Sequence, residues 1–514
     1  MGMHKRNVSR RNFMRSTAAG AAAAGAASSV FGAASPRALG ANERIKIGII
    51  GPGGRVAGYR DDMLEGHMRH LCGSNKEGKE LRSKFDIEIT AACDVWDYRT
   101  DRAAELAKKE AGYEVKKHYR DYRKLLDDKN VDVVLIGTPD HWHAKQTIDA
   151  AAAGKDVYCE KPMTHTIDEA RAVCEAIRKN KRVMQVGVQS MSDPRWRMAN
   201  ELIKEGKIGH VMQAQTSYYR NSSVGQWRYY ELKESMNPRS IDWKMFLGAD
   251  FGLAPDRPFD RAVFAQWRCY WDFGGGMYTD LFVHQLSHLI AAMGVRFPRR
   301  VVGAGGLYLE YDGRDVPDVA TVVADYDEGC QVIVTATMCN DHPIEEVIRG
   351  HTGTIKFGGD GFDILPQKFA KQPGKPSADA AESAGHVKAR DWTGDETAKH
   401  WENFLECVQS RNHETNNTPE LGYAAIATVN LGTQSYREGK AYFWDAKSHK
   451  ATGADASWAL AWEDRSKKRG KPNQIIGWKA GDTGSLLDPP AYQKLAGPWM
   501  DGKDPAAAAG SSGS

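Results

Sequence analysis

The stretch Arg44-Ile45-Lys46-Ile47-Gly48-Ile49-Ile50-Gly51-Pro52-Gly53-Gly54-Arg55-Val56-Ala57-Gly58 decides the fold. Its first half is a β-branched run that reads as a buried strand, and its second half is a glycine turn opening a helix. A parallel strand feeding such a turn aims backbone N–H groups and a helix dipole at a pyrophosphate. Gly51 and Gly53 permit the tight turn and the close approach of phosphate, and Gly54 and Arg55 continue the same cofactor-facing segment. The sixth position of the fingerprint is Val56 instead of Gly or Ala, so Gly58 is expected to take over the packing of helix against strand. By itself the turn is equally compatible with an ordinary strand and loop, and the strand–helix alternation after residue 58 carries the reading.

Residues 85–93, FDIEITAAC, read as a second strand ending at Asp94, the acid expected on an adenosine ribose. That acid comes late because a polar segment over 66–84 intervenes, read as an inserted loop or extended helix. A carboxylate at Asp94 favours NAD, since a 2′-phosphate would face a like charge, while Arg99 and Arg102 keep NADP open. Residues 99–111 have helical spacing, and 131–137 form an apolar strand stopping at Thr138-Pro139-Asp140-His141-Trp142-His143. A helix over 144–153 and a strand over 155–159 come next, ending in Glu160-Lys161-Pro162. This alternation predicts a doubly wound parallel sheet with ligands at the carboxyl ends of its strands. Lys161 then falls where a cofactor's reactive end would lie.

The chain has 514 residues and 41% hydrophobic content, enough for two or three domains with at least one large core. Lys plus Arg exceed Asp plus Glu by only 70 to 66, without a basic stripe interleaved with aromatics, which argues against a nucleic-acid partner. The eight cysteines (Cys72, Cys93, Cys159, Cys174, Cys269, Cys330, Cys339, Cys407) are scattered with no ligand spacing. They read as reduced structural thiols, with a disulfide framework the lesser alternative, and no metal is expected.

Near the N-terminus, Ser9-Arg10-Arg11-Asn12-Phe13-Met14 precedes a charge-free, Ala/Gly-rich run over 17–34 that ends in Gly32-Ala33-Ala34. This resembles a twin-arginine export signal. A membrane anchor is the weaker reading, because Ala and Gly contribute little transfer energy and the run barely reaches the ~20 residues a bilayer requires. Residues 1–43 are therefore expected to be signal and linker, engaging the twin-arginine translocase. The product is expected to be periplasmic or otherwise exported, without stable membrane insertion. That route carries folded proteins, so a cofactor would travel already bound.

Taken together, GPGG after a strand, TPDHWH, CEKP and the later GGGMYTDLFVH resemble the Gfo/Idh/MocA oxidoreductases over 44–444. The resemblance implies a Rossmann domain over 44–163 and a larger α/β domain over 164–445, with a C-terminal extension over 446–514. The second domain would hold the substrate on a mostly antiparallel open sheet that often builds homodimers or homotetramers. A helix over 167–179 and a strand over 182–189 are expected to open it. The resemblance also implies that Lys161 reaches both the nicotinamide ribose and the substrate hydroxyl, with Glu160 placing it. Thr138, Pro139 and His143 would line the nucleotide, His143 matching the family's Pro-Asn-x-x-His histidine with Asp140 replacing Asn. Gln189, Trp267 and Arg268 are carried over as cofactor-lining, although core packing and a salt bridge account equally well for the last two.

The resemblance further implies that Asp280 and His284, four apart, complete a catalytic triad with Lys161. The chemistry fits, because oxidising a secondary alcohol needs a base titrating near neutrality, the role of His284. Asp280 would orient that histidine or the substrate, and Lys161 would stabilise alkoxide charge. Where relatives carry an acid after the histidine, this chain has Gln285-Leu286-Ser287-His288. The resulting histidine pair suggests a metal held with Asp280, or, the preferred reading, a packed His288. Residues 218–239, YYRNSSVGQWRYYELKESMNPR, offer aromatic faces among polar groups, either a platform for a sugar ring with Trp227 as stacking candidate or a subunit-contact loop.

Strand-like alternation over 301–334 with a turn at Asp327-Glu328-Gly329 predicts antiparallel sheet, and 365–391 read as an exposed excursion. Helices are expected over 399–410 and 423–436. The leading functional expectation is an exported nicotinamide-dependent oxidoreductase acting on a secondary hydroxyl of a sugar or glycoside, with its cofactor tightly held. The alternatives are a glycoside-cleaving enzyme working by transient oxidation and elimination, and a non-catalytic sugar-binding protein.

Overall fold

Isoleucines at alternate positions set the centre of the first sheet. Ile45, Ile47 and Ile49 of β1 (Ile45–Ile50) are fully buried on one face, and Ile50 closes the other. A parallel strand with helices on both sides must be apolar on both faces. The computed structural model describes residues 43–368, 379–380, 385–389 and 394–454, so the expected signal and residues 455–514 lie outside the described residues. The other strands of this sheet are β2 (Ile87–Cys93), β3 (Lys117–Tyr119), β4 (Val133–Ile136), β5 (Asp156–Glu160) and β6 (Met184–Gly187). All are parallel, in the order β3-β2-β1-β4-β5-β6. The order reverses between β1 and β4, which opens a crevice at their carboxyl ends.

Three expectations need correction here. The strand read as opening the second domain is β6, which pairs in parallel with β5 (Tyr158 opposite Gln185), so the parallel sheet runs beyond residue 163. The segment over 66–84 is neither a loop nor one helix. It forms two, Gly66–Cys72 and Lys76–Lys84, with Gly73 at φ 75° capping the first. Gly58 does not pack the glycine-turn helix on the sheet; it ends that single turn, Gly54–Ala57, at φ 106°. The space comes instead from Gly137, where a Cβ would fall 2.3 Å from Val56 Cγ2. The missing small residue at position 56 is thus exchanged for one just past the end of β4.

Among the described residues the second sheet has twelve strands. At its centre β7 (Val211–Asn221) runs parallel to β10 (Cys330–Thr337), which pairs antiparallel with β9 (Val319–Tyr326), and β9 with β8 (Arg300–Gly306). The β9–β10 hairpin turns at the predicted Asp327-Glu328-Gly329, with Tyr326 opposite Cys330. On the far side of β7 lie β11 (Cys339–Asn340), β12 (Val347–Gly350), β13 (Gly353–Gly358) and β14 (Gly361–Lys368), again antiparallel. Of the expected excursion, Gly385–Lys388 pairs with β14. Along β10 the residues Val332, Val334 and Ala336 are buried while Gln331, Ile333 and Thr335 are only partly covered. One face of this sheet is therefore core and the other open.

Two late helices fasten the sheets together. Pro419–Glu438 lies against β8, and its Gly422 meets Met163 and Val186 of the first domain. Glu396–Ser410 places Trp401, Phe404, Leu405 and Val408 in the same cluster as Ile45, Ile47 and Tyr158. All eight cysteines are free, and seven are buried.

The Val56–Gly137 exchange is testable. Gly137→Ala should cost about 1–3 kcal/mol of unfolding free energy in urea denaturation through overpacking. Adding Val56→Ala should recover most of that loss, and a double variant no more stable than Gly137→Ala would show that the two side chains do not compete for one space.

Candidate active site

The nucleotide end of the crevice is built by the glycine turn. Gly51 has φ 80°, and a Cβ there would lie 2.9 Å from the backbone of Gly137 and Thr138, so only glycine lets the two strand ends close. A cleft beside this turn is lined by Gly51, Asp94, Arg99, Thr138 and Pro139 among others. Asp94 is buried at the end of β2, accepting the Trp96 N–H (3.0 Å) and facing Arg99 at 3.6 Å. Burial raises its pKa against the opposing pull of Arg99. Arg99 also reaches toward Gly53, its guanidinium 3.9 Å from where a Cβ would stand. Arg102 is committed elsewhere, donating to the Arg60 and Gly58 carbonyls. An open glycine turn, a helix start and a buried acid at the second strand end fit the phosphates and ribose of a dinucleotide.

Glu160, the last residue of β5, is an anchor. Its Oε1 accepts from His67 Nε2 (2.6 Å), Gln189 Nε2 (2.7 Å) and Arg55 Nε (3.3 Å). The indole N–H of Trp401 donates to His67 Nδ1 (2.8 Å), so that nitrogen accepts and Nε2 carries the hydrogen given to Glu160. Burial alone would raise the Glu160 carboxyl, but Arg55 and His67 outweigh it and hold it well below its usual range. Gln189 and Arg55 thus meet the predicted site through Glu160, and the Lys161–Pro162 peptide beyond it is cis.

Lys161 extends from this anchor across to the second domain. Its ammonium donates to Asp280 Oδ1 (2.7 Å) and to the Asp280 carbonyl (2.6 Å). Arg268 Nε donates to the same Oδ1 at 3.0 Å, while its guanidinium stacks 4.2 Å over Trp267. Burial opposes the charge on Asp280, but Lys161 and Arg268 hold its carboxyl far below the carboxylate range. Removing one member of such a desolvated pair typically costs ~3–5 kcal/mol. Contrary to the expectation from their spacing, Asp280 does not orient His284. It lies in a π-helical turn, Tyr278–Phe282, that passes into the Val283–Met293 helix, and its carboxylate is directed to the two cations. Among the described residues His284 has no hydrogen-bond partner; its ring lies 5.9 Å from that of Tyr218. Burial and the Lys161 ammonium push its pKa well down, so the imidazole is neutral and able to take a proton.

The residues of TPDHWH start the helix Asp140–Ala152. His143 hydrogen-bonds two carbonyls, Nδ1 to Pro162 (2.6 Å) and Nε2 to Thr138 (2.8 Å). Carbonyls only accept, so both contacts are hydrogen bonds when both nitrogens carry hydrogen, and the protonated ring clamps the two cofactor-facing loops. Burial disfavours that charge, but Cys159 and the two carbonyls outweigh it and raise the pKa. Asp140 accepts from Thr279 Oγ1 (3.0 Å), and burial pushes it up to about 7 against the pull of Arg268. His141 is a core residue bonded to the Phe246 carbonyl.

One other sequence reading is revised. Trp227 is 1% exposed and cannot stack on a sugar; Tyr218, Tyr219, Tyr229 and Tyr230 are the uncovered or partly covered rings of that segment. His288 stacks on Trp196 at 3.9 Å and bonds Glu346 Oε1 (2.6 Å), and no group of three metal-type ligands occurs among the described residues. Sequence reasoning missed His67, Trp401 and Arg220. His67 lies in the segment expected to be an insertion, and Trp401 is 334 residues away. An alternating Tyr218-x-Arg220 on a strand is the one available signal for the third.

Two family models match the chain: the oxidoreductase family NAD-binding Rossmann fold over residues 45–188, and the oxidoreductase family C-terminal alpha/beta domain over residues 200–443. The chain belongs to the Gfo/Idh/MocA oxidoreductase family, and its first domain is an NAD-binding Rossmann domain. It is 33% identical over 159 residues to inositol 2-dehydrogenase of Salmonella typhimurium, covering 31% of this chain and 46% of that protein. It is 26% identical over 223 residues to an alpha-N-acetylgalactosaminidase of Shewanella oneidensis, covering 41% and 44%. The chain thus spans about half the length of the curated relatives it matches. Levoglucosan dehydrogenase in complex with NADH and levoglucosan shares the fold, with TM-score 0.53 and 18% identity over 78% of this chain and 98% of that one.

The His143 clamp predicts a pH dependence. A folded pKa raised above the unfolded ~6.5 gives stabilisation that is complete below 6.5 and lost as pH rises through the folded value. The melting-temperature gap between wild type and His143→Gln should therefore be widest near pH 6 and narrow above it; a gap constant with pH would exclude the imidazolium.

Proposed function

We propose that the protein is a nicotinamide-dependent oxidoreductase acting on a secondary hydroxyl of a sugar or glycoside. The observation that carries this reading is the Lys161–Asp280 ion pair at the carboxyl end of β5, with the free, neutral imidazole of His284 on the adjoining helix. When bound, a nicotinamide supplies the hydride acceptor. His284 takes the hydroxyl proton, and Lys161 stabilises the charge developing on the oxygen. Asp280 and Arg268 hold the lysine in place, and Glu160 fixes the loop from which it extends.

The identity to inositol 2-dehydrogenase and the fold shared with levoglucosan dehydrogenase support a polyol or sugar substrate. The sequence SRRNFM and the Ala/Gly run behind it support export by the twin-arginine route, hence a periplasmic or otherwise exported enzyme that leaves the cytoplasm with its nucleotide bound. The open face of the second sheet offers a surface for a homodimer or homotetramer. A second reading, glycoside cleavage through transient oxidation, draws support from the similarity to the alpha-N-acetylgalactosaminidase. A released aglycone with unchanged net nucleotide would distinguish it.

Lys161→Ala and His284→Ala should each lower hydride transfer to bound nicotinamide by roughly 10²–10⁴-fold, read by absorbance in single-turnover mixing with a sugar panel. Turnover at the wild-type rate in either variant would overturn the assignment.

A further inference from the structure

The chamber that His284 faces has a wall formed by β7. Side chains alternate along a strand, so Thr216, Tyr218 and Arg220 share one face. Thr216 Oγ1 donates to Glu346 Oε1 (2.7 Å) and lies 3.0 Å from Gln285 Oε1 beside His284, which shows that this face is turned toward the catalytic helix. Tyr218 comes after it, its ring 5.9 Å from that of His284. Arg220 is next, its guanidinium 4.7 Å over the Tyr218 ring and one N–H donated to the Tyr218 hydroxyl at 2.7 Å.

Arg220 is half-buried, and among the described residues no carboxylate lies within ion-pair distance of it. Its neighbours are placed differently. Arg228 pairs with Asp312, Arg55 with Glu160, and Arg268 with Asp280. Asp280 is already hydrogen-bonded to Lys161 and Arg268, and it reaches Arg220 only through a longer-range attraction without a direct contact. The chamber thus presents three cations to one fully committed carboxylate, with Asp140 behind it raised to about 7 and only partly charged at neutrality. A partly desolvated guanidinium without a directly paired counter-ion is costly. Its planar fork of donors matches a carboxylate in two parallel hydrogen bonds. Tyr218 lies between Arg220 and His284, so a ring stacked on that wall presents one substituent to each.

We propose that Arg220 binds the carboxylate of the substrate, which is therefore a uronic acid or a glycoside of one instead of a neutral sugar. This rests on the oxidoreductase reading above and deepens it.

The test is isothermal titration calorimetry on the full chain with its nicotinamide bound, using matched pairs: glucuronate with glucose, galacturonate with galactose, mannuronate with mannose. Glucose 6-phosphate and glucose 6-sulfate serve as other anions. At least one uronate should bind roughly 10-fold or more tightly than its neutral partner, the range of a charge-assisted hydrogen bond. Arg220→Gln should collapse that preference to about two-fold, and Arg220→Lys should keep part of it. A preference for neutral partners in every pair, no binding of any uronate, or a preference unchanged in Arg220→Gln would overturn the proposal. Tighter binding of the phosphate or sulfate than of any uronate would overturn the carboxylate assignment. Equal turnover of neutral sugars and uronates would remove this inference and leave the oxidoreductase standing, whereas uronate binding without hydride transfer to any sugar would remove the oxidoreductase and leave the anion site.

Discussion

One carboxylate shared by two cations holds the site together. Lys161 belongs to the first domain, Asp280 and Arg268 to the second, and the three meet at a single oxygen, Oδ1 of Asp280. Desolvation disfavours every charge in that group, so each is tolerable only while the others are in place. The consequence is geometric. The lysine at the end of a parallel strand cannot swing into solvent, and the π-helical turn bearing Asp280 also offers it a backbone carbonyl. His284, four residues along the same chain, is kept neutral by burial and by the Lys161 ammonium.

The lysine's own strand end is fixed from behind. Glu160 collects three donors on one oxygen, and through His67 it reaches Trp401, on a helix that returns to the first domain after the whole second sheet. Trp401 lies flat on Tyr158, centroids 4.3 Å apart, two residues before Glu160. Opposite it, the His143 imidazolium joins the Pro162 and Thr138 carbonyls. The cofactor-facing loops are therefore tied to each other, to the core of their own sheet and to a late helix, which fixes their geometry.

The features legible in the sequence are those with local periodicity. Alternating isoleucines announce β1, the apolar run before Glu160 announces β5, and Asp327-Glu328-Gly329 marks the hairpin joining β9 and β10. Compensations between distant residues are not legible there. Val56 looks like a defect in the glycine fingerprint because the glycine that accommodates it, Gly137, stands far along the chain, just past the end of β4. The spacing of Asp280 and His284 makes them look like partners, but the carboxylate is claimed by cations from elsewhere in the chain. Trp227 offers aromatic surface that the fold encloses, and the expected domain boundary falls one helix and one strand too early because β6 pairs only after that crossover.

The most direct measurement is to purify the mature protein without added cofactor, incubate half with a sugar mixture, denature both halves and identify the released nucleotide by mass spectrometry. Close to one nicotinamide nucleotide per chain is expected, NAD or NADH, with the oxidised-to-reduced ratio changed by the sugars. Protein that releases no nucleotide and binds none when NAD is supplied would contradict a nicotinamide site at the Lys161 strand end.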